Sequence, residues 1–466
     1  MKKKLLNLFS AVAILAVSTV NAQEEPYTLT LFDQAVYYGM YEATVSEPIP
    51  DGAIRNSNSS YGKKLTDEQL ASFGNTLTMT VTLNPLCDNY DRIGNVNLVL
   101  APEGATTYNY NDVTRIEIGR FITPFMDMTV TNPDSVPYVF NVNNLTNIFH
   151  DESITSVYDI WIELEVYGYQ GGPNQGGAAE EIPGCAGRND VYMGSLEFSS
   201  TYDSSIPETD NHLIPLSYKY ELKNYTLEGT DVLGETVKTI SFTLDEPMPD
   251  AKLYVITSNH GSNPGGEEYI RRNHFVYFDN EQVLMYKPGG VSCVPFFDYN
   301  TQPSCIYYVC PPPGSGQSAY PRPDIDAYWS WNNWCPGDRI PTRSIDLGDL
   351  AAGEHTFKIE VPDAEFADGQ GYFPMSAYVQ SFGQVLGTAN FDTTAFSIYP
   401  NPANDIITIA AEGLTVQTVH IINTLGQTVY TGTSDTADIA KLQSGIYVVN
   451  VLFDNGTTAT QKLVKK

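Results

Sequence analysis

The sequence predicts an all-β protein of antiparallel sheets in about three domains. Three observations carry this. Short runs alternate apolar and polar residues with a period of two, as half-buried strands do. Gly (36) and Pro (29) are abundant between those runs and mark frequent turns. No long amphipathic helix is found, and Leu65 to Phe73 is the best short helical candidate. The 466 residues leave room for three domains at roughly 100–200 residues each.

The first clear strands are Leu77, Met79, Val81 and Leu83, which alternate with threonines, and Val96, Leu98 and Leu100, which alternate with Asn95, Asn97 and Val99. Asn84-Pro85 breaks the first of them. Between the two lies Cys87-Asp88-Asn89-Tyr90-Asp91-Arg92, a charged cluster at a strand end, where a rigid sheet rim can hold reactive groups open to solvent. Residues 27–205 read as one β-rich domain, with further strands at Thr114 to Phe121 and Ile160 to Tyr167. In the latter, Ile160, Ile162, Leu164 and Val166 form a core face, and Trp161, Glu163, Glu165 and Tyr167 point the other way. That second face is either a solvated surface or a sugar-binding or catalytic one. Residues 168–187 form a long loop rich in Gly, Pro and Asn, a length often tied to function.

A second β-rich domain covers 210–383, with strands at Thr236–Leu244, Lys252–Thr257, His274–Phe278 and His355–Val361. His260-Gly261, Glu267-Glu268-Tyr269 and Arg271-Arg272-Asn273-His274 gather acids, arginines and a histidine beside glycines. They form either a salt-bridged shoulder or a site. Trp329, Trp331 and Trp334 cluster in a turn-rich segment that either closes a domain interface or offers a ligand platform. Residues 384–394 read as a linker, and Phe396 to Lys466 as a small β-sandwich.

Lys plus Arg number 25 against 55 for Asp plus Glu, a net charge of -30, which argues against nucleic acid and anionic membrane as partners. Residues 1–22 read as a secretory signal: Lys2-Lys3-Lys4, an apolar run from Leu5 to Val17, and a small-residue cleavage site at Val20-Asn21-Ala22. No segment is long enough to span a membrane as a helix. In an exported chain the six cysteines, Cys87, Cys185, Cys293, Cys305, Cys310 and Cys335, are expected in disulfides, with fifteen pairings open. Neither CxxC pairs nor closely spaced histidines occur, so no metal and no cofactor are expected.

Three groups of residues resemble one family, peptide-N-glycosidase F, over about residues 27–383. Cys87-Asp88-Asn89-Tyr90-Asp91-Arg92 with Ile118-Gly119-Arg120-Phe121-Ile122-Thr123-Pro124 is similar to its CDxWDR and IGRFITP signatures. Glu267-Glu268-Tyr269 with Arg272-Asn273-His274 resembles its second-domain glutamate segment, and Trp334-Cys335-Pro336-Gly337 with Pro341-Thr342-Arg343 resembles its WCPG and PTR segments. The resemblance implies two side-by-side antiparallel jelly rolls with a cleft between them, and metal-independent hydrolysis of the amide joining an N-glycan to asparagine. Carried over by position, Asp91 would activate water, with Arg92 keeping it ionised and oriented, while Glu163 and Glu268 assist from opposite walls. Arg92, Trp161, Glu165, His260, Trp331 and Trp334 would meet substrate. The Cys293–Cys335 bridge fits the family, Cys305–Cys310 would be a local addition, and Cys185 is the partner implied for Cys87, because Pro85-Leu86 stand where the family has its first cysteine. Gly266 and Ile270 replace the cysteines flanking the family's second-domain glutamate. Glu165 replaces a tryptophan and Trp331 an arginine. Separately, Tyr399-Pro400-Asn401-Pro402-Ala403-Asn404, Leu425-Gly426-Gln427 and Leu442-Gln443-Ser444-Gly445-Ile446-Tyr447 resemble the Ig-like C-terminal sorting domain of the Bacteroidetes type IX secretion system, at 395–466. The partners implied are N-glycoproteins or glycopeptides and the type IX secretion machinery. The alternatives are a non-catalytic surface glycan-binding protein on the same scaffold and a copper monooxygenase, for which the His-x-His pair is missing.

Overall fold

The computed structural model describes residues 26–383 and 396–466, apart from 172–176, 208, 262–265, 303–307, 310, 313–314, 322–331, 412–413, 424–426 and 455–457. The expected signal peptide, the 384–394 linker, Trp329, Trp331, Cys305 and Cys310 lie outside the described residues. The chain forms two compact units, Met1–Gly383 and Gln384–Lys466.

The first part of the larger unit is built from β1 (Tyr27–Tyr38), β2 (Ala53–Ser57), β3 (Ser60–Lys64), β4 (Thr76–Pro85), β5 (Ile93–Pro102), β6 (Thr114–Ile122), β7 (Val136–Asn141), β8 (Tyr158–Val166) and β9 (Asp190–Thr201). The second part uses β10 (Leu213–Leu222), β11 (Val237–Leu244), β12 (Met248–Thr257), β13 (His274–Phe278), β14 (Glu281–Tyr286), a ribbon of β15 (Tyr308–Val309) and β16 (Tyr320–Pro321), then β17 (Arg339–Ile340), β18 (Arg343–Leu350), β19 (Gly353–Glu360) and β20 (Phe373–Ser381). The sheets run β1-β9-β4-β7 facing β6-β5-β8-β3, and β10-β20-β12-β18 facing β11-β19-β13-β14. With its main strands counted in chain order, each sandwich places strands 1-8-3-6 in one sheet and 2-7-4-5 in the other. That order is the double Greek key of a jelly roll. The short helical candidate forms α1 (Asp67–Ser72), started by a capping box between Thr66 and Gln69.

Period two does what it predicts in β4: Leu77, Met79, Val81 and Leu83 are buried in the first core with Leu98, Ile162 and Phe198. In β8, however, both faces are buried. Ile160, Ile162, Leu164 and Val166 enter the core as expected. The opposite face is no solvated surface, because Glu163 and Glu165 are buried along the seam where the two jelly rolls meet.

Two backbone irregularities build that seam. The register of β6 slips between Val96/Gly119 and Asn97/Glu117, so one extra residue is inserted. Strict alternation would send Glu117 and Arg120 to opposite faces; the bulge turns both toward the second jelly roll. Arg120 chelates Glu117 through Nε (2.7 Å) and Nη2 (2.6 Å), and donates across the seam to Ser258 Oγ (2.9 Å) and the Pro374 carbonyl (2.7 Å). From the other side, β10 breaks register between Ser217 and Tyr220. Lys219 sits there at a left-handed φ of 42°, its N–H donating to Ser376 Oγ (2.9 Å), and Nζ reaches across to Glu165 (2.5 Å) and the Tyr167 hydroxyl (2.9 Å). The strand β17 leaves the second jelly roll and pairs with β6 of the first.

The smaller unit is a separate sandwich of β21 (Phe396–Tyr399), β22 (Ile406–Ala411), β23 (Val416–Asn423), β24 (Thr428–Gly432), β25 (Thr436–Asp438), β26 (Gly445–Phe453) and β27 (Thr458–Lys465), with sheets β21-β22-β25 and β24-β23-β26-β27. Ile407, Val419, Ile421, Val449 and Leu463 fill its core.

Candidate active site

The turn from Cys87 to Arg92 assigns its two acids different tasks. Asp88 is fully buried and accepts from the N–H of Tyr90 (2.9 Å) and of Tyr169 (2.6 Å) and from Arg92 Nε (2.8 Å). It is the scaffold of the turn, an Asx-type bond followed by a clamp on the next loop. Asp91 is left half-buried at the apex. Thr123 fixes the backbone on both sides of it: its hydroxyl donates to the Tyr90 carbonyl (2.8 Å) and accepts from the Arg92 N–H (2.7 Å), and its own N–H donates to the Arg92 carbonyl (2.8 Å). Cys87 is bridged to Cys185. The disulfide and the Asn89 Nδ2 bond to Glu181 (2.8 Å) tie the turn to the 168–187 loop, which carries a short helix, α2 (Ala178–Glu181).

The second wall repeats this division. Glu267 is fully buried, chelated by Arg272 Nε at 3.0 Å and Nη2 at 3.0 Å, and it accepts from the Glu365 N–H. Glu268 beside it is half-buried and accepts from the Gly261 N–H (3.0 Å). Two of the family's cysteines are missing around this turn. Asn333 holds it instead, with Nδ2 donating to the carbonyls of Glu267 (2.9 Å), Glu268 (2.6 Å) and Ile270 (3.2 Å). Asn333 is in turn anchored close to the Cys293–Cys335 bridge.

Glu268 lies within electrostatic reach of Asp91, each on its own side of the seam. Burial pushes the Asp91 carboxyl well above its usual range, the Glu268 charge pushes it further, and Arg92 only partly offsets them. Burial also raises Glu268, against bonds from Gly261 and Tyr269 and the attraction of Arg92. The expectation that Arg92 holds Asp91 ionised is therefore corrected: its hydrogen bonds go to Asp88 and to the Tyr169 carbonyl (3.3 Å). A carboxyl raised by its neighbour, a second raised by burial and one guanidinium acting on both make a group suited to holding a proton between them.

The remaining predicted residues sit as follows. Glu163 is fully buried and fully engaged: Arg115 binds both oxygens (2.8 Å each), and Asn56 (2.8 Å), Tyr108 (2.8 Å) and Asn97 (3.2 Å) complete its shell. It is opposite Asn97, four strand residues from the start of β5, about 13 Å along the sheet at ~3.3 Å per residue. It therefore does not join the Asp91–Glu268 pair. Glu165 is committed to Lys219. Trp161 presents no platform: it is buried against Val99 and Ala101, with Tyr108 edge-on at 5.3 Å. Trp334 closes the junction of the jelly rolls against Ile122, Ile256 and Ile340, and donates to the Asn259 carbonyl (3.0 Å). His260 stacks on it at 6.0 Å and bonds Ser258 (2.7 Å). Burial lowers the His260 pKa to about 3, so it stays neutral at ordinary pH. Sequence reasoning missed Thr123, although it sits inside a quoted segment, Asn333, which stands just before another, and Lys219, whose only signal was a lysine in an apolar strand.

Fold and site together define a protein of two jelly rolls whose paired acids are divided between its halves. A family model described as peptide-N-glycosidase F, N terminal, matches residues 28–169, and one described as peptide-N-glycosidase F, C terminal, matches 230–380. The chain belongs to the peptide-N-glycosidase F family. Residues 397–466 match a secretion system C-terminal sorting domain, so the protein is a type IX secretion product, released or held at the cell surface. A solved structure of PNGF-II is 18% identical, with a TM-score of 0.54, covering 77% of this chain; the chain spans 65% of that structure's length. A recombinant peptide:N-glycanase F is 15% identical, with a TM-score of 0.46, over 78% of this chain and 96% of its own. No curated protein matches the chain.

Proposed function

We propose that the protein is a peptide-N4-(N-acetyl-β-glucosaminyl)asparagine amidase acting on N-glycoproteins, working without a metal. The domain organisation proposed is a signal peptide at 1–22, jelly rolls at 27–205 and 210–383, and a sorting domain at 395–466. The observation that carries the activity is the electrostatic nearness of Asp91, Glu268 and Arg92, drawn from both jelly rolls. Ionised Asp91 takes a proton from water as the oxygen attacks the amide carbonyl. Its raised pKa makes it a stronger base, nearer the working pH. Glu268 relays a proton to the departing glycosylamine nitrogen, and Arg92 faces the oxyanion. Glu163 assists from a distance, as a positioning residue that fixes Arg115, Tyr108 and Asn97.

Incubating the full chain with a denatured N-glycoprotein tests this. Free glycan together with asparagine-to-aspartate conversion supports it; no release from any glycan class, while a control enzyme works, overturns it. The commitment of Glu163 and Glu165 to internal partners favours a second reading, a glycan-binding protein without turnover. In that case glycan binding persists unchanged in Asp91→Asn and no product forms.

The pH profile gives a further check. Glu268 raises the Asp91 pKa, so Glu268→Gln lowers it. Activity that needs ionised Asp91 disappears as pH falls through that pKa. The acid limb of kcat/KM is therefore expected to move to lower pH in Glu268→Gln, alongside a reduced maximum, when rates on a glycopeptide are followed across pH.

A further inference from the structure

Tyr41 is 73% exposed, a large ring held in water with no core to serve. Its backbone is nevertheless pinned. The Gly39 N–H donates to the Asn189 carbonyl (2.8 Å) and the Met40 N–H to the Gly168 carbonyl (2.9 Å). Buried Asn58 gathers the carbonyls of Gly39 (3.1 Å), Glu42 (3.3 Å) and Ala43 (3.1 Å) through one nitrogen. At Gly39 a Cβ would lie 2.5 Å from Gln170 Oε1, so the turn packs tightly on the 168–187 loop. A rigid backbone under an exposed aromatic ring is the arrangement of a preorganised contact.

The ring stands near the turn that carries Asp91. Tyr169 lies 5.3 Å from Tyr41, edge to face, and its peptide groups are bound to Asp88 and Arg92. Across the seam, Tyr372 is half-buried, its backbone bridged to His260 in the wall that carries Glu268, and its hydroxyl is within electrostatic reach of Tyr41. Tyr41 and Tyr169 thus stand beside the turn that carries Asp91, and Tyr372 stands on the wall that carries Glu268. Tyrosine faces suit the apolar C–H surface of a pyranose and their hydroxyls suit its rim.

We propose that Tyr41, Tyr169 and Tyr372 form a stacking site for a pyranose ring of the glycan beyond the first sugar. This rests on the amidase reading for the placement of the scissile bond, but its binding arm does not. Tyr41 is the residue to test, because its exposure keeps folding out of the result.

In the full chain carrying Asp91→Asn, calorimetric titration with a free N-glycan oligosaccharide is expected to give a Kd about tenfold weaker on adding Tyr41→Ala, and restored by Tyr41→Trp. In the active protein, Tyr41→Ala is expected to lower the ratio of kcat/KM for a full-length glycopeptide to that for a peptide bearing a single N-acetylglucosamine by about tenfold. An unchanged Kd overturns the proposal. An equal loss on both glycopeptides, or an equal loss of binding to the sugar-free peptide, also overturns it, because Tyr41 would then be reading the polypeptide. If the protein cleaves neither substrate, the amidase reading fails and the titration alone decides for or against the stacking site.

Discussion

Asp91→Asn is expected to abolish amide hydrolysis, with a loss of about 10²–10⁴-fold, the range that a positioned base contributes. The substitution removes the base and leaves its mounting untouched, since Asp88, Thr123 and the Cys87–Cys185 bridge fix the turn without it. Stability should move the opposite way. A carboxyl whose folded pKa is raised costs stability once pH exceeds the unfolded value, and the cost grows until pH passes the folded pKa. Asp91→Asn should therefore raise the thermal midpoint at neutral pH and have no such effect below the ordinary carboxylate range. An active variant would remove Asp91 from the mechanism. A lower midpoint at neutral pH would mean that the carboxylate is not held against its preference.

The second large effect concerns Arg120. Arg120→Met leaves Glu117 buried without its counter-charge and strips Ser258 and the Pro374 carbonyl of a donor. Breaking a buried pair from one side costs about 3–5 kcal/mol, whereas replacing both members by apolar or neutral groups is often close to neutral. Thermal unfolding of the full chain should thus show a marked fall for Arg120→Met and a partial return for Glu117→Gln with Arg120→Met. If the double variant is as unstable as the single, the loss comes from the seam-crossing bonds rather than from the stranded charge. Activity should fall in the single variant even below its unfolding range, because Asp91 and Glu268 come from opposite sides of this junction.

Much of the fold was legible because one-sided burial writes itself as alternation. β4 and the His274–Phe278 strand were read from period two alone, and the latter has the predicted bounds. The same rule failed for the far side of β8. There a polar face is covered by another domain, and a covered Glu looks like a solvated one in a single sequence. Nor does alternation announce a bulge: Glu117 and Arg120 share a face only because one residue is inserted between them. At the site, the resemblance picked out Asp91 and Glu268 by position, yet nothing in the residues themselves separates Asp88 from Asp91 or Glu267 from Glu268. Adjacent acids differ there by which finds an arginine, a long-range fact. Asn333 in place of missing cysteines is of the same kind, because a side chain that replaces a cross-link has no spacing rule.

The two-residue strand β17 bears on how the chain can be taken apart. It is supplied by the second jelly roll, between β16 and β18, and completes the outer margin of a sheet belonging to the first. Cutting the polypeptide between the jelly rolls would strip that margin bare and expose a row of charges meant to stay dry. The halves are therefore not interchangeable modules; shuffling either onto a new neighbour would require transplanting Arg339 and Ile340 along with it.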